Sequence, residues 1–321
     1  MAREIGSEFH RVAPDSCHGL IYPRPGSLVF SGRTAIEAVL KKLPDARTAL
    51  LPSYCCDSMI VPFKAAGIDV KFYKVEWDEG LSIEIYRSAD ILLWCNYFGF
   101  KNEMPEFDGA IIEDITHSLL SENSSHPQSD YLVASLRKWE PVNCGGYCSV
   151  EVEGNIPPDE FITLKTSAME LKTEYLDDLD EEKKPRFLKM FTDSNHWLAK
   201  NYAGLAIDHF SRKYIGSVDM EKHRRIRQEN ARILYEGLQN KVQFMFPIED
   251  MDCPLFVPIL LANRDEVRSF LTKNEIYCPV HWPKPEGCES NIYNQELSLI
   301  CDQRYGIEDM ERIVSTLKEV I

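Results

Sequence analysis

A lysine that follows an apolar strand is the residue of this sequence best placed to act as a nucleophile. Lys138 comes after the run Tyr131–Ala134 and directly after Arg137. A lysine amine becomes nucleophilic when desolvation or neighbouring positive charge lowers its pKa, and the strand end and Arg137 could supply both. The segment predicts a reactive amine, although a surface lysine after a strand would show the same pattern.

A second apolar strand, upstream in the chain, ends in acidic residues. Ile111 and Ile112 lead into Glu113 and Asp114, and His117 follows. In open α/β sheets, ligands bind at the carboxyl ends of the strands, where a carboxylate can pair with a protonated ring nitrogen. Taken by itself, the segment favours the simpler interpretation that Asp114 caps a following helix.

A third segment combines a strand end, a glycine and a helix start. It runs from Phe30 to Ile36 and contains Gly32, Arg33 and Thr34. A helix N-terminus presents unpaired N–H groups and a positive dipole end, which suit a phosphate group. Arg33 and Thr34 would add further donors, although a hydroxyl residue at a helix start is most often only an N-cap.

Two prolines stiffen an extended segment nearer the C-terminus. Pro279 and Pro283 enclose His281 and Trp282, two side chains that could contact a ligand. The local chemistry fits packing and binding equally well, so both interpretations stay open for this segment.

These four segments need a scaffold that brings strand ends together. Between residues 27 and 152, short apolar and β-branched runs alternate with helical runs such as Ala35–Leu43 and Ser58–Ala66. Such alternation is typical of a mostly parallel sheet with helices on its faces. The predicted strands are Ser27–Phe30, Ala49–Leu51, Val70–Val75, Ile91–Asn96, Gly109–Ile112, Tyr131–Ala134 and Tyr147–Val152.

Beyond the sheet, the pattern becomes helical and then mixed. Residues 157–218 are interpreted as charged helices, and the basic run Lys222–Arg227, interpreted as a surface face, begins a helix that reaches Leu238. We therefore predict a large domain over residues 1–218, with an N-terminal extension, and a small α+β domain over 219–321. The elements predicted within the small domain are the strand Leu255–Leu261, the helix Arg264–Lys273, the extended piece Ile276–Val280 and the closing helix Ile307–Val320.

The composition is that of an acidic soluble protein. The 321 residues are 44% hydrophobic and carry a net charge of −15, which argues against nucleic acid and anionic membranes as partners. No apolar run reaches transmembrane length and no signal peptide is evident, so we expect a cytoplasmic protein. The ten cysteines include no CxxC pair, so we expect free thiols and no metal site.

The order of the phosphate-binding turn, the strand-end carboxylate and the strand-end lysine resembles that of the DegT-type family of sugar and nucleotide-sugar aminotransferases. Members are pyridoxal 5′-phosphate (PLP) enzymes of fold type I. The resemblance therefore implies an α/β large domain with a mostly parallel sheet, a small C-terminal α+β domain and a homodimer. The matching segments are Ser31–Ile36, Leu51–Tyr54, Pro62–Gly67, Asn96–Gly99, Ile112–Ser118, Ala134–Trp139 with Gly145 and Gly146, and Leu297–Tyr305.

The resemblance also implies roles for single residues. Lys138 would carry PLP as a Schiff base and move the proton between the substrate's α-carbon and the cofactor, while Asp114 would keep the pyridine nitrogen protonated. His281 aligns with a substrate-side histidine, and Tyr97 and Trp282 are further candidates for substrate contacts. The other implied cofactor contacts are His117 near the ring, Gly32, Arg33 and Thr34 at the phosphate, Ser135, and Cys56 where many members have a stacking aromatic residue.

The leading functional hypothesis is transamination, with an amino acid such as glutamate as donor and a keto-sugar or nucleotide-linked keto-sugar as acceptor. Three alternatives stay open. Some relatives are PLP-dependent dehydratases that lack the lysine, and a PLP-fold protein can be regulatory without catalysis. An unrelated α/β enzyme could instead use Cys55, Cys56 or Cys144 as its nucleophile. Glu140, where related sequences often have an apolar residue, indicates a divergent branch.

Overall fold

The computed structural model describes residues 4–100 and 102–321, so the first three residues of the predicted large domain lie outside the described residues. The strands are β1 (Ile5–Gly6), β2 (Ser27–Val29), β3 (Thr48–Pro52), β4 (Asp69–Trp77), β5 (Leu81–Glu84), β6 (Ile91–Cys95), β7 (Ala110–Asp114), β8 (Tyr131–Ser135), β9 (Gly146–Cys148), β10 (Gln243–Phe244), β11 (Val257–Leu260), β12 (Ile276–Tyr277) and β13 (Glu296–Leu299). The helices are α1 (Gly32–Leu40), α2 (Asp57–Ala65), α3 (Asp159–Asp178), α4 (Lys183–Lys200), α5 (His209–Ile215), α6 (Met220–Leu238), α7 (Arg264–Lys273) and α8 (Ile307–Lys318).

The strands β2 to β9 form one sheet, in the order β2-β9-β8-β7-β6-β3-β4-β5. The five strands from β8 to β4 in this order pair in parallel, and antiparallel strands complete both edges. Every residue of β6 is buried, as expected for a central parallel strand with helices on both faces. The predicted mixed α/β fold with a mostly parallel large sheet is confirmed.

The local chemistry of the turn before α1 decides where that helix begins. Ser31 is its N-cap, and its hydroxyl accepts a hydrogen bond from the Thr34 backbone N–H at 3.3 Å. Because this cap satisfies a donor of the first turn, the helix starts at Gly32, three residues before the predicted start at Ala35. Its buried face, which includes Ile36 and Val39, packs on the sheet core.

The strands β10, β11 and β13 form a separate antiparallel sheet. Its core joins apolar residues of α6 and α8, including Leu234 and Ile313, to strand residues such as Ile259. The N-terminal strand β1 pairs in parallel with β12, and Ile5 is buried in this same core. The beginning of the chain therefore packs on the C-terminal unit, while the domain boundary at residue 218 stays a prediction.

The helices α3 and α4 pack against each other through a small apolar cluster that includes Met169 and Phe187. The buried face of α3 also carries Lys165 and Lys172. The Lys172 ammonium lies 2.7 Å from the Glu4 carboxylate, so these buried cations connect α3 to the N-terminal segment. Among the described helices, none combines the length and the apolar content needed to cross a membrane.

Candidate active site

A cavity of about 700 Å³ lies where the carboxyl ends of β6, β7 and β8 meet the N-termini of α1 and α2. Because β7 and β8 are paired neighbours, their ends bring Asp114 and Lys138 to the same cavity. The predicted site residues that line it are Gly32, Arg33, Cys56, Asp114, His117, Ser135, Lys138, His281 and Trp282.

Another cavity, of about 810 Å³, opens on the other side of α1. Thr34 and Glu37 line it, but Lys138 and Asp114 do not. Since the titratable groups with perturbed pKa and the helix N-termini converge on the smaller cavity, that cavity is the candidate active site.

Lys138 ends a short 3₁₀ turn, Leu136–Lys138, that follows β8. The next residue anchors this turn, because the buried Trp139 indole N–H donates to the Thr116 carbonyl at 2.6 Å. The Lys138 side chain lines the cavity. Desolvation by the surrounding protein, together with the charge of Arg137, lowers the pKa of Lys138. These are the two causes that the sequence indicates.

Asp114 is the last residue of β7 and is nearly fully buried. One of its carboxylate oxygens accepts a hydrogen bond from the Thr116 backbone N–H at 2.9 Å. Burial raises the pKa of Asp114. The chain after Asp114 forms turns rather than a helix, so the interpretation of Asp114 as a helix cap is wrong.

His117 presents a neutral ring to the cavity. Its Nδ1 accepts a hydrogen bond from the Phe98 backbone N–H at 3.0 Å, which places the ring proton on Nε2. Burial, and then the neighbouring His281 and Lys138, hold its pKa well below the usual value. The ring centroid lies 5.7 Å from that of Trp282. His117 can therefore donate a hydrogen bond from Nε2 while its ring stays neutral.

His281 and Trp282 form the opposite wall. The His281 backbone N–H donates to the Glu296 carboxyl at 2.6 Å, and its Nδ1 lies 2.8 Å from the Ser298 hydroxyl. Burial and Lys138 hold the pKa of His281 well below its usual value. The Trp282 ring packs at 5.0 Å from the ring of Tyr54, so both residues are fixed from behind.

The predicted phosphate turn is only partly directed at the cavity. A Cβ added at Gly32 would lie 3.3 Å from the Ser135 Cβ, so a glycine allows the close approach of α1 to β8. The Arg33 Nε is buried without a hydrogen-bond partner. Thr34, by contrast, is not brought to the cavity, because its hydroxyl donates to the Tyr202 carbonyl at 2.8 Å.

Tyr97 is a predicted substrate contact that the structure places elsewhere. It is 1% exposed and does not line the cavity. Its hydroxyl donates to the Tyr54 carbonyl at 2.8 Å, and the two rings pack at 5.5 Å. Tyr97 therefore supports the loop behind Trp282 and has no free group for a ligand.

Several residues of the site were missed by sequence reasoning, and Arg227 is the clearest of them. It is fully buried, lies 4.5 Å over the Trp139 ring and has one guanidinium nitrogen, Nη2, without a partner. The prediction of a surface face for Lys222–Arg227 is therefore wrong for Arg227. Its spacing from Ala231 and Leu234, which lie on the buried face of α6, is the signal that could have found it. Charged and amide side chains that also line the cavity and were missed include Glu8, Asn195, Asp302 and Arg304.

The structure weakens the thiol alternative. A hydrogen bond with Cys288, followed by burial, raises the pKa of Cys55 well above its usual value, and burial does so for Cys144. Neither thiol is therefore poised as a thiolate. Cys56 lines the cavity, with its sulfur 2.7 Å from the Ser58 hydroxyl. Among residues 4–100 and 102–321, no group of three His, Cys, Asp or Glu side chains could hold a metal ion.

The divergent Glu140 has a structural explanation. It is 1% exposed and lies outside the cavity. Its carboxylate lies 2.9 Å from Nδ1 of His223, whose Nε2 lies 3.0 Å from Asp15. Glu140 thus connects the lysine turn to α6 and to the N-terminal segment.

Comparison with known proteins finds similarity in structure only. No family model and no curated protein matches the sequence. Spr1654 from Streptococcus pneumoniae, in its PLP form, has a TM-score of 0.65 at 11% identity, covering 93% of this chain and 87% of that one. Sugar aminotransferase CalS13 from Micromonospora echinospora has a TM-score of 0.60 at 12% identity, covering 92% and 87%.

A DegT DnrJ EryC1 StrS aminotransferase from Brucella abortus is also similar, with a TM-score of 0.59 at 14% identity, covering 91% of this chain and 85% of that one. These similarities extend over almost the whole chain. At such identities they establish a shared fold, so the predicted fold type I architecture is confirmed. Activity has to be argued from the site itself.

Proposed function

We propose that this chain is a PLP-dependent aminotransferase that moves an amino group from an amino acid to a keto-sugar. One observation carries the proposal: an amine with a lowered pKa, Lys138, and a buried carboxyl, Asp114, face one cavity from neighbouring strand ends. The similar structures include a sugar aminotransferase and a PLP form, which supports both the cofactor and the substrate class. Glutamate as donor and a nucleotide-linked acceptor follow from the family resemblance alone.

The residues at the cavity fit PLP. Burial raises the pKa of Asp114, whose carboxyl would become a stable carboxylate beside a protonated pyridine nitrogen. The N-terminus of α1 and the unpartnered Arg33 Nε suit a phosphate. Lys138 supplies the amine that a Schiff base needs, and PLP bound there would supply an electron sink for charge that develops on the donor's α-carbon.

Side chains of the protein itself would move the proton and orient the bound groups. The lowered pKa of Lys138 favours the unprotonated amine, so Nζ can accept a proton and return it. The neutral His117 ring keeps Nε2–H as a donor towards the cavity. The Trp282 ring lines the cavity 5.7 Å from the His117 ring and gives this wall an apolar face.

The experiment that tests the proposal is covalent trapping. Purified protein incubated with PLP is expected to develop the visible absorbance of a lysine-bound cofactor, and borohydride should then fix it to the peptide that contains Lys138. Lys138→Ala should abolish both signals, whereas Lys189→Ala, on the exposed surface of α4, should leave them unchanged. Normal trapping in Lys138→Ala would refute the site.

A donor screen separates the aminotransferase from the other PLP-fold readings. Addition of glutamate should bleach the visible absorbance, and a keto-sugar acceptor should restore it. Binding without bleaching by any amino acid would favour the regulatory reading, while release of water from a sugar substrate would favour the dehydratase reading. The presence of Lys138 and Asp114 at one cavity argues against both alternatives.

A homodimer is a further part of the proposal and comes from the family resemblance. Enzymes of this fold commonly build their active sites across a subunit interface. Light scattering at micromolar concentration should therefore give twice the mass of the chain, and a monomer would contradict this expectation.

A further inference from the structure

The N-terminal segment Ser7–Phe9 lines the candidate active-site cavity. Arg304 holds it from one side, because its guanidinium donates to the Glu8 carbonyl at 3.3 Å and lies 4.1 Å over the Phe9 ring. Lys172 holds it from α3 by donating to the same Glu8 carbonyl at 2.7 Å. These contacts use the backbone of Glu8 and leave its carboxylate directed elsewhere.

The Glu8 carboxylate meets a group of donors beside Lys138. Oε1 accepts a hydrogen bond from Asn195 at 2.9 Å, and Oε2 lies 3.7 Å from the Lys165 ammonium. Burial alone would raise the pKa of Glu8, but the charges of Lys165 and Arg137, the hydrogen bond from Asn195 and the charge of Lys138 bring it to about 2. Glu8 is therefore an anion at any physiological pH.

Lys165 and Arg137 have hydrogen-bond donors that the Glu8 carboxylate does not satisfy. Lys165 is 5% exposed, and its ammonium lies beyond hydrogen-bond distance from the carboxylate. Arg137 donates to the Asn195 side-chain carbonyl at 3.3 Å, and its Nε is buried without a partner. The Glu8 side chain itself is 42% exposed. A half-exposed carboxylate held by one hydrogen bond is the part of this arrangement that can move.

From this geometry we infer that Arg137, Lys165 and Asn195 form an oxyanion-binding subsite beside Lys138, which Glu8 fills in this structure and from which an incoming oxyanion displaces it. The inference rests on the proposed function for the identity of that oxyanion, which is the carboxylate of the amino donor or the phosphate of the cofactor, and Arg33 on the same cavity would share that phosphate with the subsite. The chemistry is shared, since guanidinium, ammonium and amide donors suit both groups. Glu8 keeps the buried cations paired until the ligand arrives.

The test is a set of titrations on the full-length protein. Inorganic phosphate and glutarate, a dicarboxylate without an amine, are titrated into wild-type protein by calorimetry before PLP is added. Glu8→Gln removes the competing charge and should lower the dissociation constant of at least one anion about three- to tenfold. Lys165→Met should raise it by a similar factor, and Lys165→Arg should restore binding.

Glu174→Gln is the matched control, because Glu174 lies on the same helix as Lys165 and pairs with Lys183 at the surface. It should leave both dissociation constants unchanged. Thermal melting identifies any variant that fails to fold. If Lys165→Met does not fold, Glu8→Gln still tests the inference, because Glu8 is half-exposed and its substitution should not disturb the core. Dissociation constants within twofold of wild type in both Glu8→Gln and the Lys165 variants would overturn the inference.

Two further arms identify the source of the oxyanion. If the subsite takes the cofactor's phosphate, Glu8→Gln should tighten PLP binding but not the binding of pyridoxal, which lacks the phosphate. If it takes the donor's carboxylate, glutarate should still bind the PLP-loaded protein, and more tightly in Glu8→Gln. Equal effects on PLP and pyridoxal, without a glutarate effect, would contradict both. Because the anion titrations precede the addition of PLP, failure of the proposed function is seen separately, as a protein that binds anions but forms no lysine-bound cofactor.

Discussion

Two neighbouring carboxyl groups at the end of β7 face opposite sides of the sheet and have opposite surroundings. Glu113 is fully buried away from the cavity, where it accepts hydrogen bonds from the Asn96 amide and the His126 backbone N–H, each at 2.8 Å, and from the Ser129 hydroxyl. Burial would raise its pKa, but His126 and these donors lower it. Glu113 is thus a satisfied anion in a closed network.

Asp114 lies on the cavity face with far less support. It accepts one backbone hydrogen bond, from Thr116, and burial raises its pKa. A buried carboxyl group with a full set of donors is expected to stabilise the fold, whereas one that lacks them is a candidate for ligand binding. Substitutions at the two carboxyl groups should therefore have opposite effects on activity and stability.

Asp114→Asn should lower kcat/KM about a hundred- to a thousandfold, because a neutral amide does not stabilise a protonated pyridine nitrogen. The stability of the PLP-free protein should stay equal or rise, since the variant removes a carboxyl whose ionisation burial opposes. Steady-state kinetics and thermal melting measure the two effects. A kcat/KM within about threefold of wild type would show that Asp114 does not contribute to catalysis.

Glu113→Gln should show the opposite pattern. Loss of the charge-assisted hydrogen bonds from His126 and Ser129 should lower the free energy of unfolding by about 2–3 kcal/mol, as measured by urea denaturation. PLP binding per folded molecule should be unchanged. A loss of PLP binding at full stability would mean that the two faces of β7 have been assigned the wrong way round.

Glu296 provides a third case, a buried carboxyl whose pKa burial raises to about 8 from 4.5. Between these two values the folded chain keeps a proton that the unfolded chain has released, so the free energy of unfolding should fall as the pH rises. The slope contributed by this group is at most about 1.4 kcal/mol per pH unit. Glu296→Gln should remove that contribution, and urea denaturation at pH 5, 6 and 7 measures it. An unchanged slope would show that Glu296 is ionised in the fold.

The smallest effect is expected for Tyr97→Phe, behind the cavity wall. Loss of the hydrogen bond to Tyr54 should lower the free energy of unfolding by about 0.5–1.5 kcal/mol, with KM unchanged because Tyr97 does not line the cavity. Trp282→Phe is the comparison, since Trp282 does line it and should change KM. If Tyr97→Phe changed KM as much as Trp282→Phe, Tyr97 would have to be counted among the residues that contact the substrate.

Local patterns in the sequence were enough to predict the scaffold, because alternating strands and helices predicted the parallel sheet. Asp114 and Lys138 each follow a predicted strand, but it was the resemblance to a known family that assigned them to one site, and the paired strands β7 and β8 bring them together. The residues that were missed or misplaced share one property. Their positions depend on contacts with residues distant in sequence. The Thr34 hydroxyl donates to the Tyr202 carbonyl, and Arg227 packs over the Trp139 ring.

Strand periodicity, helix caps and the shared carboxyl edge of parallel strands are local or follow from simple topology, so the residue pattern alone indicates where chemistry can occur. The surroundings of that chemistry are set by the packing of distant elements. The contact between Glu8 and Asn195 joins residues 187 positions apart. The hydrogen-bond partners of Glu113 and Asp114 differ because one face of the sheet is covered by packed segments and the other borders the cavity. Such contacts depend on how distant elements pack, which no local pattern of residues specifies.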